Sequence, residues 1–275
     1  KMRWNTYQRK HPKDQSMHIY EAAIITKEVG TMIDHILRMM REMKLSAMAD
    51  EFETLSQDKD ISKMNPLDVV EQIISAEYSS EKNITVQRRL KQAYLSDHTA
   101  RLEDIDYDPS RQINHNLIDQ LATNDYIAAH RNVLIFGATG CGKTYIGNCL
   151  GINACEARYR VRYTRLTELL NEFSIARIEG NLQKIYKVYA KYDLLIIDDF
   201  LLVDTSATEQ KDLIELFEYR DRNRSTILCS QLSVEEWHGK LGGGYIADSI
   251  LDRVTNNSYR IILQGESQRK LRNSR

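Results

Sequence analysis

The 275-residue chain predicts an α/β domain, a parallel sheet with helices on both faces, preceded by a small all-helical domain. Three observations carry that expectation. From Asn132 onward, short apolar β-type runs alternate with stretches of helical periodicity, as crossover-connected parallel strands require. Ahead of residue 97, apolar side chains recur instead at helical spacing. Between the two, residues 97–112 are polar and turn-prone around Asp108-Pro109-Ser110, and read as a linker. The length suffices for one large α/β core plus a smaller appendage.

Residues 1–31 carry scattered charges and no apolar run of the kind a secretory signal needs, so a flexible extension is expected there. The chain opens at Lys1, and Met2, Met17 and Met32 are candidate natural starts. Residues 32–96 form the helical domain. Ile33, Ile36, Leu37, Met40 and Met43 line one helical stripe. Asn65-Pro66 supplies an N-cap and a proline at the first helical position, opening a helix through Leu67, Val70, Ile73 and Ile74. A further helix carries Arg88, Arg89 and Lys91, with Arg101 beyond it. Residues 97–131 are the linker and a leading helix, and residues 132–275 are the α/β domain. Its strands are expected from Asn132, at 161–164, at 194–197, at 226–230 and at 259–263. Helices are expected from Lys143 to about Ala157, over 166–178 and 181–191, around Leu213, Leu216 and Phe217, and over 246–254. With so little chain after Leu263, no C-terminal helical lid is expected.

Composition narrows the function. A formal net charge of −1 with 28% charged residues gives no global basic field, so nucleic-acid binding would need a local patch. The four cysteines, Cys141, Cys149, Cys155 and Cys229, have no C-x-x-C pairing and no histidine at zinc spacing, which predicts reduced thiols and a cytoplasmic protein. The most apolar run, 194–203, is broken by Asp198 and Asp199 and falls far short of the roughly 20 apolar residues of a membrane span. No internal repeat or low-complexity tract is present.

The chemistry begins at Gly137-Ala138-Thr139-Gly140-Cys141-Gly142-Lys143-Thr144, a G-x-x-x-x-G-K-T loop between a β-type run and a helical pattern. Its glycines let the backbone turn N–H groups inward on a polyphosphate, and the opening helix adds its positive dipole end. Residues from Gly137 to Tyr145 are thus the candidate cradle for ATP. Lys143 is placed for the β- and γ-phosphates, and the Thr144 hydroxyl is a hard ligand for Mg2+. Cys141 within the loop reads as a packing residue. Leu194-Leu195-Ile196-Ile197-Asp198-Asp199 is the second motif: a buried strand ending in carboxylates at the sheet edge where ligands bind. Asp198 is suited to hold Mg2+ and Asp199 to act as general base. Taken alone, such an acidic pair is as often a plain loop start. The phosphate loop upstream favours the functional reading.

There is no N-K-x-D tetrad of GTPases and no L-S-G-G-Q signature of transporters. The order of the remaining motifs resembles the AAA+ P-loop ATPases of the initiator and helicase-loader clade, most closely the IstB-like transposition helpers, relatives of the loaders DnaC and DnaI. The resemblance covers about residues 32–269. It rests on Gln87-Arg88-Arg89-Leu90-Lys91-Gln92-Ala93, on the strand and loop at 132–144, on Tyr159-Arg160-Val161-Arg162-Tyr163 and on the strand at 194–199. Ile250-Leu251-Asp252-Arg253 and Gly265-Glu266-Ser267-Gln268-Arg269 complete it.

That resemblance implies an ATPase assembling as a homo-oligomer on double-stranded DNA and targeting or activating a partner transposase. Mg-ATP would lie between subunits, with Arg253 of a neighbour reaching the γ-phosphate. The bland alternative is an ion pair of Arg253 with Asp252 or Asp248. Gln231, or Ser230, takes the place of the polar residue that orients the attacking water, and Arg269 is too weakly specified for a role. Asp199 stands where many relatives carry Glu. For the helical domain the resemblance implies duplex binding through Lys82, Arg88, Arg89, Lys91 and Arg101, against the alternative of a solvated face. The competing functional reading is a replicative helicase loader. A nucleotide kinase is weaker, since nothing resembles its lid arginines.

Overall fold

The computed structural model describes residues 13–265, 267 and 268. Two compact units divide the chain, one reaching Ile84 and the other beginning at Thr85. The first contains α1 (Lys13–Glu42), α2 (Ser46–Ser56) and the earlier part of α3 (Pro66–Ala93). Arg41 on α1 pairs with Glu53 on α2 at 2.8 Å, and buried Glu77 of α3 accepts the Met48 N–H at 2.9 Å. Asn65 caps α3 by accepting the Leu67 N–H, as its position before Pro66 predicts.

The second unit carries α4 (His115–Ala122), α5 (Asp125–Ala128), β1 (Asn132–Gly137), α6 (Lys143–Glu156), β2 (Val161–Arg165), α7 (Leu166–Ile178) and α8 (Leu182–Ala190). There follow β3 (Leu194–Asp198), α9 (Ala207–Arg220), β4 (Ser225–Ser230), α10 (Val234–Lys240), α11 (Gly244–Thr255) and β5 (Ser258–Leu263). The five strands form one parallel sheet in the order β2-β3-β4-β1-β5. Every strand run expected from the sequence is present.

Alternation along the strands builds two cores. Val133, Ile135, Leu194, Ile196 and Ile227 face Ile146 and Leu150 of α6, while Leu134, Leu195, Ile197 and Leu228 face Leu169, Phe173, Leu213, Trp237 and Ile250. With both faces covered, β3 and β4 are buried at every position, which is why Leu194 to Ile197 is an unbroken apolar run. The polar segment after α3 is packed too: Leu95, Ala100 and Ile105 join the α6-side core.

One short helix, α10, carries no apolar periodicity that would betray it. Its start is marked instead by a capping box, the Ser233 hydroxyl accepting the Glu236 N–H while the Glu236 carboxylate accepts the Ser233 N–H at 2.7 Å. Among the described residues no helix is long and apolar enough to cross a membrane.

Candidate nucleotide site

Strand β1 delivers the chain into the glycine loop at the C-terminal edge of the sheet, and α6 leaves it. Two glycines there are required by geometry. Gly137 has φ +153°, and a Cβ on it would lie 2.6 Å from Cys141 Sγ and 2.7 Å from the Leu263 carbonyl. Gly142, the residue before α6, has φ +103°, and its Cβ would come within 2.9 Å of the Arg111 guanidinium. The Gly137 contacts include backbone, which cannot step aside. Gly137→Ala is therefore expected to cost about 2–4 kcal/mol, lowering Tm by roughly 5–15 °C. A thermal melt within about 2 °C of the parent would refute the close approach.

Lys143 is buried, and its Nζ donates to the carbonyls of Gly137 at 2.8 Å and Ala138 at 2.9 Å. Among the described residues it forms no ion pair, so its charge faces the loop without a carboxylate. The Thr144 hydroxyl donates to Asp198 Oδ2 at 2.7 Å across the gap between β1 and β3. Asp198 is 3% exposed, and each carboxylate oxygen is engaged: Oδ1 by the Asp199 N–H at 2.9 Å, Oδ2 by Thr144 and by the Tyr163 hydroxyl at 2.9 Å. Burial, together with the Asp198 charge, raises the Tyr163 phenol above its ordinary range, so it stays a donor. Its position follows from register: Tyr163 pairs with Ile196, and a long side chain leaning along the strand reaches the diagonal neighbour two residues on.

Asp199 begins the turn after β3 with φ +52°, its side chain partly exposed and 3.9 Å from Arg165 Nε. Gln231 at the end of β4 accepts the Thr139 hydroxyl at 2.6 Å and so reaches the loop. Ser230 is otherwise occupied. Buried on the opposite side of the pleat, it donates to the Phe200 carbonyl at 2.7 Å and accepts Trp237 Nε1 at 2.8 Å. Cys141 is 1% exposed and packs beneath the loop. All four cysteines are free and buried, and burial pushes the thiols of Cys149 and Cys155 up to about 12.

Arg111, which carries no motif, lies against the loop. It is buried, donating to the Cys141 carbonyl at 3.0 Å and the Asp106 carbonyl at 2.6 Å. Chain from beyond β5 also meets the loop, the Gln268 N–H donating to the Gly140 carbonyl at 2.9 Å. Glu266 and Arg269 of the C-terminal motif lie outside the described residues. A cleft of about 380 Å³ opens over this assembly, lined among others by Arg111, Lys143, Thr144, Tyr145, Arg165 and Gln268.

Arg253 is elsewhere. It sits in the last turn of α11, and its main-chain carbonyl accepts Asn132 Nδ2 at the start of β1, the sheet edge opposite the glycine loop. Its guanidinium donates to the Ser249 carbonyl and hydroxyl and lies 3.7 Å from Glu218, rather than pairing with Asp248, which meets His238, or with Asp252, which accepts Asn256. It opens onto a separate cleft of about 170 Å³ with His130, Arg222 and Arg224.

The candidate DNA residues are spread out. Lys82 is exposed in the first unit. In the second, Arg88 and Lys91 are exposed three residues apart on one face of α3, while Arg89 is partly buried with an unpartnered Nε. Arg101 is exposed, its main chain bonded to the Tyr145 hydroxyl beyond the end of α3.

The donor set suits a hard cation with a nucleotide. One buried carboxylate and one hydroxyl meet beside an uncompensated lysine, and among the described residues no three His, Cys, Asp or Glu side chains gather into an all-protein cage.

Comparison with known proteins agrees with this architecture. An insertion sequence ATP-binding protein of Sinorhizobium fredii is 33% identical over 242 residues, covering 88% of this chain and 97% of the relative. Among solved structures, the DnaC helicase loader superposes with a TM-score of 0.52 at 16% identity over 61% of this chain and 98% of its own. AMPPCP-bound DnaA from Aquifex aeolicus superposes with a TM-score of 0.52 at 20% identity, over 65% of this chain and 54% of its own. These two likenesses establish the AAA+ type of fold. The sequence model of the IstB-like ATP binding proteins matches residues 38–275, and the chain belongs to that family.

Proposed function

We propose that this protein is an ATP-dependent transposition helper: it binds Mg-ATP at the glycine loop, assembles on double-stranded target DNA, and targets or activates a partner transposase. The observation that carries the ATPase reading is the junction of Lys143, Thr144 and Asp198 at one sheet edge, with Gln231 reaching the same loop. Lys143 exchanges its two carbonyl partners for phosphate oxygens, gaining charge-assisted bonds in place of neutral ones. Thr144 and Asp198 would hold Mg2+, which supplies neutralisation of the charge on the β- and γ-phosphates. Asp199 accepts a proton from the water that attacks the γ-phosphorus as the bond to ADP breaks, and Gln231 orients that water.

Arg253 supports the assembly part of the reading. An arginine at the edge opposite its own glycine loop can meet a γ-phosphate only on another subunit, so hydrolysis waits for assembly. DNA contact is assigned to Lys82, Arg88, Arg89, Lys91 and Arg101. Cations on phosphates give sequence-tolerant, salt-sensitive binding, and assembly multiplies weak single contacts.

The charge reversal Arg88→Glu with Arg89→Glu is expected to weaken duplex binding at low salt by roughly tenfold or more and to flatten its salt dependence by about two charges. Unaltered binding by fluorescence anisotropy would exclude this surface. The functional reading itself is tested by strand-transfer assays with an integrase-type transposase. Stimulation that needs both ATP and this chain supports it. Absence of stimulation, with ATP-dependent capture of a replicative helicase instead, would assign the loader role.

A further inference from the structure

Asn148 lies one helical turn beyond Thr144 in α6 and is completely buried. Its Oδ1 accepts the main-chain N–H groups of Ser96 at 3.0 Å and Asp97 at 3.3 Å. Its Nδ2 donates to the Ser96 hydroxyl at 2.9 Å and to the Thr144 carbonyl at 2.7 Å. The amide's full hydrogen-bonding capacity is therefore spent. Burying an amide completely is costly unless every bond is made, and here the four bonds together tie Asn148 to two points. One is the chain leaving α3, just past buried Leu95. The other is the residue whose hydroxyl touches Asp198.

We propose that Asn148 is a positioning residue that couples the metal end of the nucleotide site to the main chain leaving α3. The inference rests on the reading that Thr144 and Asp198 take Mg2+ with a nucleotide. In the present structure the Thr144 hydroxyl is donated to Asp198. To ligate a cation, that hydroxyl offers a free lone pair while its proton stays on Asp198, so metal binding adds a restraint to the first turn of α6. The Thr144 carbonyl belongs to that turn. Its bond to Asn148 Nδ2 carries the change to the amides of Ser96 and Asp97 through a single rigid side chain. The path is short and its centre, Asn148, is fully buried, with Thr144 and Asp97 half-buried and Ser96 exposed at its end. A device of this kind lets the occupied site stiffen the segment that follows Arg88, Arg89 and Lys91.

Amide hydrogen exchange on the full chain tests this. With Mg2+ and AMPPNP, exchange at residues 96–97 is expected to slow by roughly tenfold, against less than about twofold with AMPPNP and EDTA. Asn148→Asp keeps the acceptor for the two amides but removes the donor to the Thr144 carbonyl. It is expected to retain nucleotide protection across 137–146 and to lose the slowing at 96–97. The coupling is overturned if the wild-type loop becomes protected while 96–97 do not respond, a comparison that needs no variant to fold. It is also overturned if a folded Asn148→Asp protein keeps the slowing, or if EDTA leaves it intact. No protection at 137–146 in the wild type would overturn the nucleotide reading beneath it.

Discussion

Lys143→Ala is expected to abolish ATP binding at micromolar nucleotide while leaving the fold in place. The ammonium makes no ion pair among the described residues and donates only to two loop carbonyls, so its removal costs the folded protein little. It is a buried positive charge within the glycine turn itself, with Arg111 as a second one against the loop. Deleting a charge-assisted contact of this kind costs about 3 kcal/mol, or roughly two orders of magnitude in Kd. Isothermal titration or a fluorescent ATP analogue reads this directly, and a thermal melt within a few degrees of the parent separates lost binding from lost structure. ATP-dependent assembly on DNA should vanish with it. A Lys143→Ala protein that binds ATP as tightly as the parent would remove the basis for the proposed site.

Arg253→Ala is expected to have the opposite profile, with ATP affinity held within about twofold and hydrolysis reduced by roughly a thousandfold, the range over which an arginine supplied to a phosphoryl transition state acts. The reason is distance within one chain. The main chain of Arg253 is bonded to Asn132 at the start of β1, whereas the loop leaves the other end of that strand. Mixing supplies the decisive arm. Asp199→Asn protein retains Arg253 but lacks the proposed base, so a mixture of the two inactive variants regains hydrolysis at interfaces where an intact site faces an intact arginine. Full activity in Arg253→Ala alone, or a loss that no mixing restores, would exclude action between subunits.

How much of this was legible beforehand follows from how local each feature is. The loop and its flanking strand and helix are contiguous, and the physics that selects glycine, lysine and threonine there acts within eight residues. The doubly buried strand β3 is equally readable, because covering both faces leaves only apolar residues until the carboxylate at its end. The short helix α10 was hidden by its length, although Ser233 and Glu236 carried a start signal. The choice between Ser230 and Gln231 could not be read from the chain. Adjacent strand residues point to opposite faces, and only the seating of Trp237 and Phe200 decides which one is consumed in the core.

Periodicity and contiguous motifs thus specified an α/β domain with a phosphate loop, a carboxylate-tipped strand and a helical region ahead of them. The partners of that machinery came from folding. Arg111 meets Cys141 across 30 residues, Tyr163 meets Asp198 across 35, and Asn148 meets Ser96 across 52. None of these three has a local pattern, since a buried polar side chain is placed by whichever unsatisfied group the sheet order brings to it. Strand order did the rest. Inserting β4 between β1 and β3 sets the width of the gap that Thr144 and Asp198 bridge, and the parallel pairing of β5 with β1 leaves Arg253, at the end of α11, at the sheet edge opposite the glycine loop.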